Sequence, residues 1–389
     1  MEPLVDISDA GAVVCPWLYQ ALGGMNLDQL NARRIGLTFA GSFLGAGYVS
    51  GQELWQFFGS FGRSGMVGAA AAMALVTVFG LALMYIVSRT GVTEMDHVLV
   101  PWERMAWLRR LSSFLQLTLL FGVAAIMYAG GGALFHQLFS LPPWLGSAAM
   151  AVLVTLIAMR GLRGTVGAFS LIVPAIALLT VAFSALTLSR YGLHVPRETM
   201  SGSNPLMQNA FFGAVAFAFY NFFGSVGILA PLGGVTASPK AARRGVFLGA
   251  GLLLLIAMSV LLAVTAVSET AAEELPMLAL AYRLSRPMGF LYGVLLLMSM
   301  YGSAISMTVA ITTYAAAKSA RIAVHRKKFL AFLGALAFAA SLFGFGDLIS
   351  VVYPVFGYCG SIFILCMLVH ALQLKKEKNL ENKGTKAPG

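Results

Sequence analysis

The stretch AGSFLGAGYVSGQELWQ, residues Ala40 to Gln56, lies inside an apolar run long enough to cross a bilayer. It nevertheless carries Gly41, Gly45, Gly47 and Gly51, together with Ser42, Ser50, Gln52 and Glu53. Glycine costs about 1 kcal/mol relative to alanine in a helix interior, so four so close together predict an interruption. An unwound segment at membrane depth leaves backbone N–H and C=O groups without helical partners. That is tolerable only where protein or a wet cavity supplies replacements. The stretch therefore reads as a broken helix with a binding site at the break.

Working outward, composition sets the class. Of 389 residues, 59% are hydrophobic and 11% are charged, and the mean hydropathy is +0.82. Soluble domains carry roughly 25% charged residues, so most of this chain is expected in lipid. Cys15, Cys359 and Cys366 form no disulfide framework; the latter two, seven apart on one helix, sit roughly 10 Å apart along its axis. The first residues include Glu2, Asp6 and Asp9, unlike the basic start of a cleavable signal peptide.

Apolar runs fall near 34–58, 65–88, 111–136, 145–159, 166–189, 207–231, 245–268, 287–316, 329–346 and 348–371. Each approaches the ~20 residues a bilayer requires, which predicts ten spans. Gly11–Leu22 is too short and holds Pro16, so residues 1–32 read as a cytoplasmic or interfacial extension. With the N-terminus inside, 21 of the 26 Lys and Arg residues fall on the cytoplasmic side and only Arg63, Arg190, Arg197, Arg283 and Arg286 outside. This is the positive-inside pattern. It places both termini in the cytoplasm and accounts for the net charge of +11 without invoking nucleic acid.

The sixth run, NAFFGAVAFAFYNFFGSVGILAPLGG (Asn209–Gly234), repeats the signature, with Tyr220, Asn221, Gly224, Ser225 and Gly227 in its apolar middle. Gly45 and Gly224 lie 179 residues apart. Five spans separate the two runs, so the second set of five runs opposite to the first. The expected organisation is an extension at 1–32, repeats at 33–190 and 191–372, and a basic tail at 373–389. Matched interruptions in inverted halves point to a midplane site. Alternatively, such glycines permit close helix packing, as small-xxx-small contacts do.

On these residues the chain resembles the LeuT fold of the amino acid–polyamine–organocation superfamily. More closely, AGSFLGAGYVSGQELWQFFGSFG and FYNFFGSVGILAPLGG resemble signatures of the YkvI-type family of bacterial membrane proteins. The resemblance implies an all-α membrane protein of ten helices in a 5+5 inverted repeat, with helices 1 and 6 broken, in the bacterial cytoplasmic membrane. It implies sodium- or proton-coupled transport of a small amino acid, amine or other nitrogen-containing solute. Spore-germinant receptor subunits resemble the same fold, so a sensor is the alternative. Sodium-coupled relatives use two carbonyls of the first helix and hydroxyls of the eighth. Carried over, these are the carbonyls of Gly41 and Leu44 and the hydroxyls of Ser303 and Ser306. The family's Thr-Ser pair is Ser306-Met307 here, and a second sodium site would need Asn where this chain has Tyr48. No cofactor is implied beyond Na+ as a coupling ion.

Glu53 is the one acidic or basic residue placed in the interior of a span. Charges at such depth face a cavity or a partner. It can meet a cationic group, carry a proton, or pair with Arg63 at the outer mouth. Beside it, Gly45, Ala46, Gly47, Ser50 and Gln52 would line the first break. Tyr220, Asn221 and Gly224 would line the second, and Tyr128 the facing third helix. An acid there favours a solute whose amino group points toward Glu53. Enzyme signatures are missing: GAGYVSG lacks both dinucleotide-loop spacing and βαβ context, and no H-E-x-x-H or G-x-S-x-G occurs.

Overall fold

The structure, a computed structural model, describes residues 31–160, 165–195, 204–234, 236 and 238–384. Most of the N-terminal extension, including Cys15, lies outside the described residues. The first predicted span is three short helices in sequence. Helix α1 (Ala32–Phe43) is capped by Asn31, whose side chain accepts the Arg34 N–H at 3.1 Å. After Leu44 and an extended Gly45 comes α2 (Ala46–Ser50), and after Gly51 comes α3 (Gln52–Phe57). There follow α4 (Gly62–Thr90), α5 (Met95–Leu99), α6 (Ala106–Phe139), α7 (Pro143–Arg160) and α8 (Thr165–Tyr191). Then come α9 (Ala210–Gly234), α10 (Pro239–Ala266), α11 (Pro276–Leu284), α12 (Arg286–Lys318), α13 (Ala320–Val324), α14 (Arg326–Ser341) and α15 (Phe345–Gly384). The starts follow local chemistry. Ser238 and Ser285 accept the N–H groups of Ala241 and Met288, each with proline at the head of its helix, where a missing N–H costs nothing. Gly344, at φ 96°, divides α14 from α15, a few residues before the expected boundary between the runs 329–346 and 348–371.

Helical segments thus occupy all ten predicted positions. Among the described residues, six stretches are long and apolar enough to cross a bilayer: Gln52–Thr90, Glu103–Phe139, Ala210–Gly234, Pro239–Ala266, Arg286–Ala316 and Phe345–Leu380. Shorter apolar stretches, Pro143–Met159 and Ala175–Tyr191, lie in α7 and α8, α14 has 16 residues, and the first span is segmented.

The helices pack as two groups. α1 and α4 each pack on α9 and α10, and α6, α7, α12 and α14 contact one another; α8 touches both α10 and α12, and α15 lies against α9, α4 and α6. The α1–α10 crossing needs glycine: a Cβ at Gly249 would come within 2.7 Å of the Gly36 carbonyl. Small residues allow membrane helices this approach.

One expectation is corrected. The second interrupted helix is not broken: α9 runs as continuous α-helix from Ala210 to Gly234. The glycines near its ends serve packing, whereas Gly224 and Gly227 meet nothing closer than ordinary contact. A Cβ at Gly213 would lie 2.4 Å from the Phe57 carbonyl, and one at Gly233 3.0 Å from Val87. Burial on both sides offsets the propensity cost of the glycines. The one weakness in its ladder is Pro231, which has no N–H to give the Gly227 carbonyl.

Candidate functional site at the first-helix break

The break changes which carbonyls are satisfied. The Gly45 N–H bonds to Phe43 O at 2.8 Å, and the Tyr48 N–H to Gly45 O at 3.1 Å. In a continuous helix those donors would go to Gly41 O and Leu44 O. These two carbonyls, the ones the family resemblance singles out, therefore lose their helical donors. The intervening Ser42 carbonyl takes the Ser225 hydroxyl of α9 at 3.1 Å. Gly45 has φ −81°, which any residue adopts, and a Cβ at Gly41 or Gly45 would meet nothing within 4 Å. These glycines leave the backbone open to whatever occupies the adjoining space.

The second interruption, at Gly51, is a true left-handed turn at φ 85°, where glycine alone is unstrained. It strands the Val49 carbonyl, and Tyr292 of α12 donates its hydroxyl there at 2.6 Å while lying 2.8 Å from Thr180 of α8. Tyr48 donates to Leu253 O of α10 at 2.7 Å. Ser50 turns inward, its hydroxyl bonding Gly47 O at 3.0 Å. Two tyrosines and two breaks thus hold the five residues of α2, all buried, in a fixed orientation.

Glu53 opens α3 and is 3% exposed. Tyr220 donates its hydroxyl to Glu53 Oε1, and the Asn221 amide donates to the same oxygen at 3.3 Å. The residues predicted at the two breaks therefore meet, through a continuous α9. Gly47 makes the room: a Cβ there would stand 2.9 Å from Glu53 Oε2. Tyr220 stacks on Tyr353 of α15 at 4.3 Å and 10°, with Phe57 and Phe217 rings at 5.7 and 5.8 Å. The expected alternative pairing with Arg63 is not what forms; Arg63 is exposed, and among the described residues no cation pairs with Glu53.

Beyond Glu53 along the chain, α3 packs against the head of α15. The Gln56 amide donates to Gly346 O at 2.9 Å, and the Gln52 amide packs where a Cβ of Gly346 would stand, at 2.8 Å. The amide oxygens of Gln52 and Gln56 are buried without partners. On the α1 side, by contrast, Gly41 is exposed, Gly45 is half-buried and Leu37 is 60% exposed.

The other expected residues make contacts of their own. Gly224 faces Leu119, whose Cδ2 would lie 3.4 Å from a Cβ. Tyr128 is fully buried on α6, beside Thr155 of α7 and Thr308 of α12, without an aligned hydrogen bond. The glycines that follow it, Gly130 and Gly131, pack on Met300 and Met150. Ser303 is half-buried and Ser306 exposed on α12. Sequence reasoning passed over Tyr292, Tyr353 and Gln116. Gln116 is buried, its amide nitrogen 3.4 Å from Phe223 O and its oxygen unpartnered; a lone glutamine in the apolar third run was signal enough to find it.

No protein-family model matches the chain. It is 24% identical over 347 residues to the uncharacterized membrane protein YkvI of Bacillus subtilis, spanning 88% of this chain and 97% of that one. It is 25% identical over 352 residues to YyaD of the same organism, spanning 87% and 96%. Among solved structures, MhsT in complex with L-phenylalanine superposes with TM-score 0.60 at 16% identity, over 86% of this chain and 89% of that one. The inward-facing conformation of Mhp1 gives 0.54 at 14%, over 86% and 75%. The chain is thus a homologue of the YkvI and YyaD membrane proteins, built on the LeuT-type fold that MhsT and Mhp1 share.

Proposed function

We propose that this protein is a secondary transporter that moves a small nitrogen-containing solute by alternating access. It spans the membrane ten times as two inverted repeats of five, 33–190 and 191–372, with both termini in the cytoplasm. The observation that carries the reading is the pair of carbonyls, Gly41 and Leu44, stripped of helical donors at an open break. Nine residues beyond Leu44, past the short α2, lies the buried acid Glu53, held by α9. Unsatisfied backbone at membrane depth is stable only beside a cavity or ligand.

In this reading the solute sits between Gly45, Ala46 and Gly47 on one side and Tyr220, Asn221 and Gly224 on the other, its amino group toward Glu53. The outer side, sealed at Ser50 and Gln52, and the exposure at Gly41 and Ser306 correspond to a state open to the cytoplasm. In that state Tyr220 and Asn221 occupy Glu53 and the solute has left. A coupling sodium would take the Gly41 and Leu44 carbonyls and, once α1 closes on α12, the Ser303 and Ser306 hydroxyls. Oxygen-only ligation suits a hard cation. A proton carried by Glu53 is the other coupling route.

The test is purified protein in liposomes with imposed sodium or proton gradients, offered amines, amino acids and nucleobase-like compounds first ranked by thermal shift. Gradient-driven accumulation is the expected result. Saturable binding with no accumulation under any gradient would replace transport by sensing.

A further inference from the structure

We propose that the cytoplasmic ends of α7 and α14 form a binding site for the phosphate headgroup of an anionic phospholipid. A cavity of about 570 Å³ opens between the last turn of α7 and the turn joining α13 to α14. Its apolar floor includes Ala158, Met159 and Leu330, and its rim is Arg326, Lys327 and Lys328. At ~30 Å³ per liquid water, it has room for a phosphodiester headgroup.

The charge there is one-sided. From Lys318 through Lys328, both included, there are five Lys and Arg residues, and no Asp or Glu occurs from Leu275 to Gly346. Among the described residues, no carboxylate pairs with the three rim cations. His325, its Nδ1 3.2 Å from the Arg321 carbonyl, brings no negative charge to offset them. Three adjacent cations repel one another unless an anion sits among them.

The positive-inside rule accounts for cations at this end of a span, but not for a cavity with an apolar floor beneath them. That pairing favours a lipid over a free anion. α13 buries none of its residues; Val324, also on the cavity wall, is 79% exposed, and Phe332 on α14 is 63% exposed. An acyl chain lying along these side chains would leave its phosphate at Arg326–Lys328. Basic pockets between membrane helices at the cytoplasmic face recognise headgroups in this way. The inference does not depend on what the protein transports.

The experiment uses the full-length protein in detergent micelles, read by native mass spectrometry and thermal shift. The probes are phosphatidylglycerol, phosphatidylcholine and inorganic phosphate. Phosphatidylglycerol is expected to stay bound and to raise the melting temperature, while phosphatidylcholine and phosphate at equal concentration do neither. Each basic residue is worth about five-fold in binding an anionic surface, so Arg326→Gln with Lys327→Gln and Lys328→Gln should weaken binding roughly 100-fold. Arg33→Gln with Arg34→Gln, on a distant cytoplasmic end, should leave it unchanged. Lys327→Gln alone, expected to lose about five-fold, serves if the triple variant misfolds. Equal retention of both lipids, unchanged affinity in the rim variants, or full displacement by inorganic phosphate would each overturn the proposal.

Discussion

Tyr292 tests whether the double break is held together as described. Its hydroxyl is the donor to the Val49 carbonyl, 2.6 Å away, which lost its helical donor at the Gly51 turn. Replacing Tyr292 with Phe keeps the ring, which packs on Phe183 at 5.7 Å, and leaves the buried carbonyl empty. A buried group left unsatisfied costs about 1–3 kcal/mol, and interhelical bonds in membranes reach about 1.7. The expected loss is therefore about 1–2 kcal/mol, roughly 5- to 30-fold in the folding equilibrium.

Two other tyrosines calibrate the number. Tyr48 bonds the Leu253 carbonyl inside the continuous α10, where that oxygen keeps its helical donor, so Tyr48→Phe should cost less than Tyr292→Phe. The Tyr85 hydroxyl is buried and unpartnered, so Tyr85→Phe should be neutral or stabilising. Reversible unfolding in mixed micelles, with each variant measured beside the parent, gives the order directly. Equal effects for Tyr292→Phe and Tyr85→Phe would refute the claim that the second break needs its α12 donor.

Three further outcomes follow from the same geometry. Glu53→Gln keeps a carbonyl oxygen for Tyr220 and should fold with a melting temperature near the parent's. Uptake into proteoliposomes of the solute found by the screen should nevertheless fall more than about tenfold; parental uptake kinetics would remove Glu53 from the mechanism. Ser303→Ala with Ser306→Ala should abolish any sodium dependence of solute binding, measured by thermal shift with and without sodium, and an unchanged sodium response would retire that site. Glu274, in the loop before α11, is held above the ordinary carboxyl value of 4.5 by burial, against the lowering effect of the Gly346 and Phe345 N–H groups at the head of α15. The packed loop then binds a proton more tightly than a solvent-exposed one. Its packing should tighten as pH falls through the range just above 4.5 and loosen toward neutrality. A spin label at Ala272 would show this as mobility rising with pH, and Glu274→Gln should flatten the profile.

How much of this was legible beforehand varied by residue. The break at Gly45 was readable because glycine and polar residues crowd a span that has no propensity reason to hold them. The depth of Glu53 followed from counting along the apolar run. Its partners did not, because Tyr220 and Asn221 sit 167 and 168 residues away in the chain. The same glycine signal misled in the sixth run. Gly224 and Gly227, the glycines behind that expectation, meet nothing closer than ordinary contact, yet α9 runs through them unbroken, and local sequence cannot tell such a glycine from one that unwinds.

What the chain determined alone was the bilayer as its solvent, the positions of its apolar helices and an interrupted first helix carrying a buried acid. These follow from hydropathy, backbone hydrogen bonding and glycine propensity, all of which act within a few residues. Tertiary structure alone decided that α9 stays whole, that Tyr292 fills the carbonyl stranded by Gly51, and that Glu53 rests on Tyr220 and Asn221. Those outcomes depend on which distant donor reaches which orphaned acceptor. That pairing is set by packing helices across the whole chain.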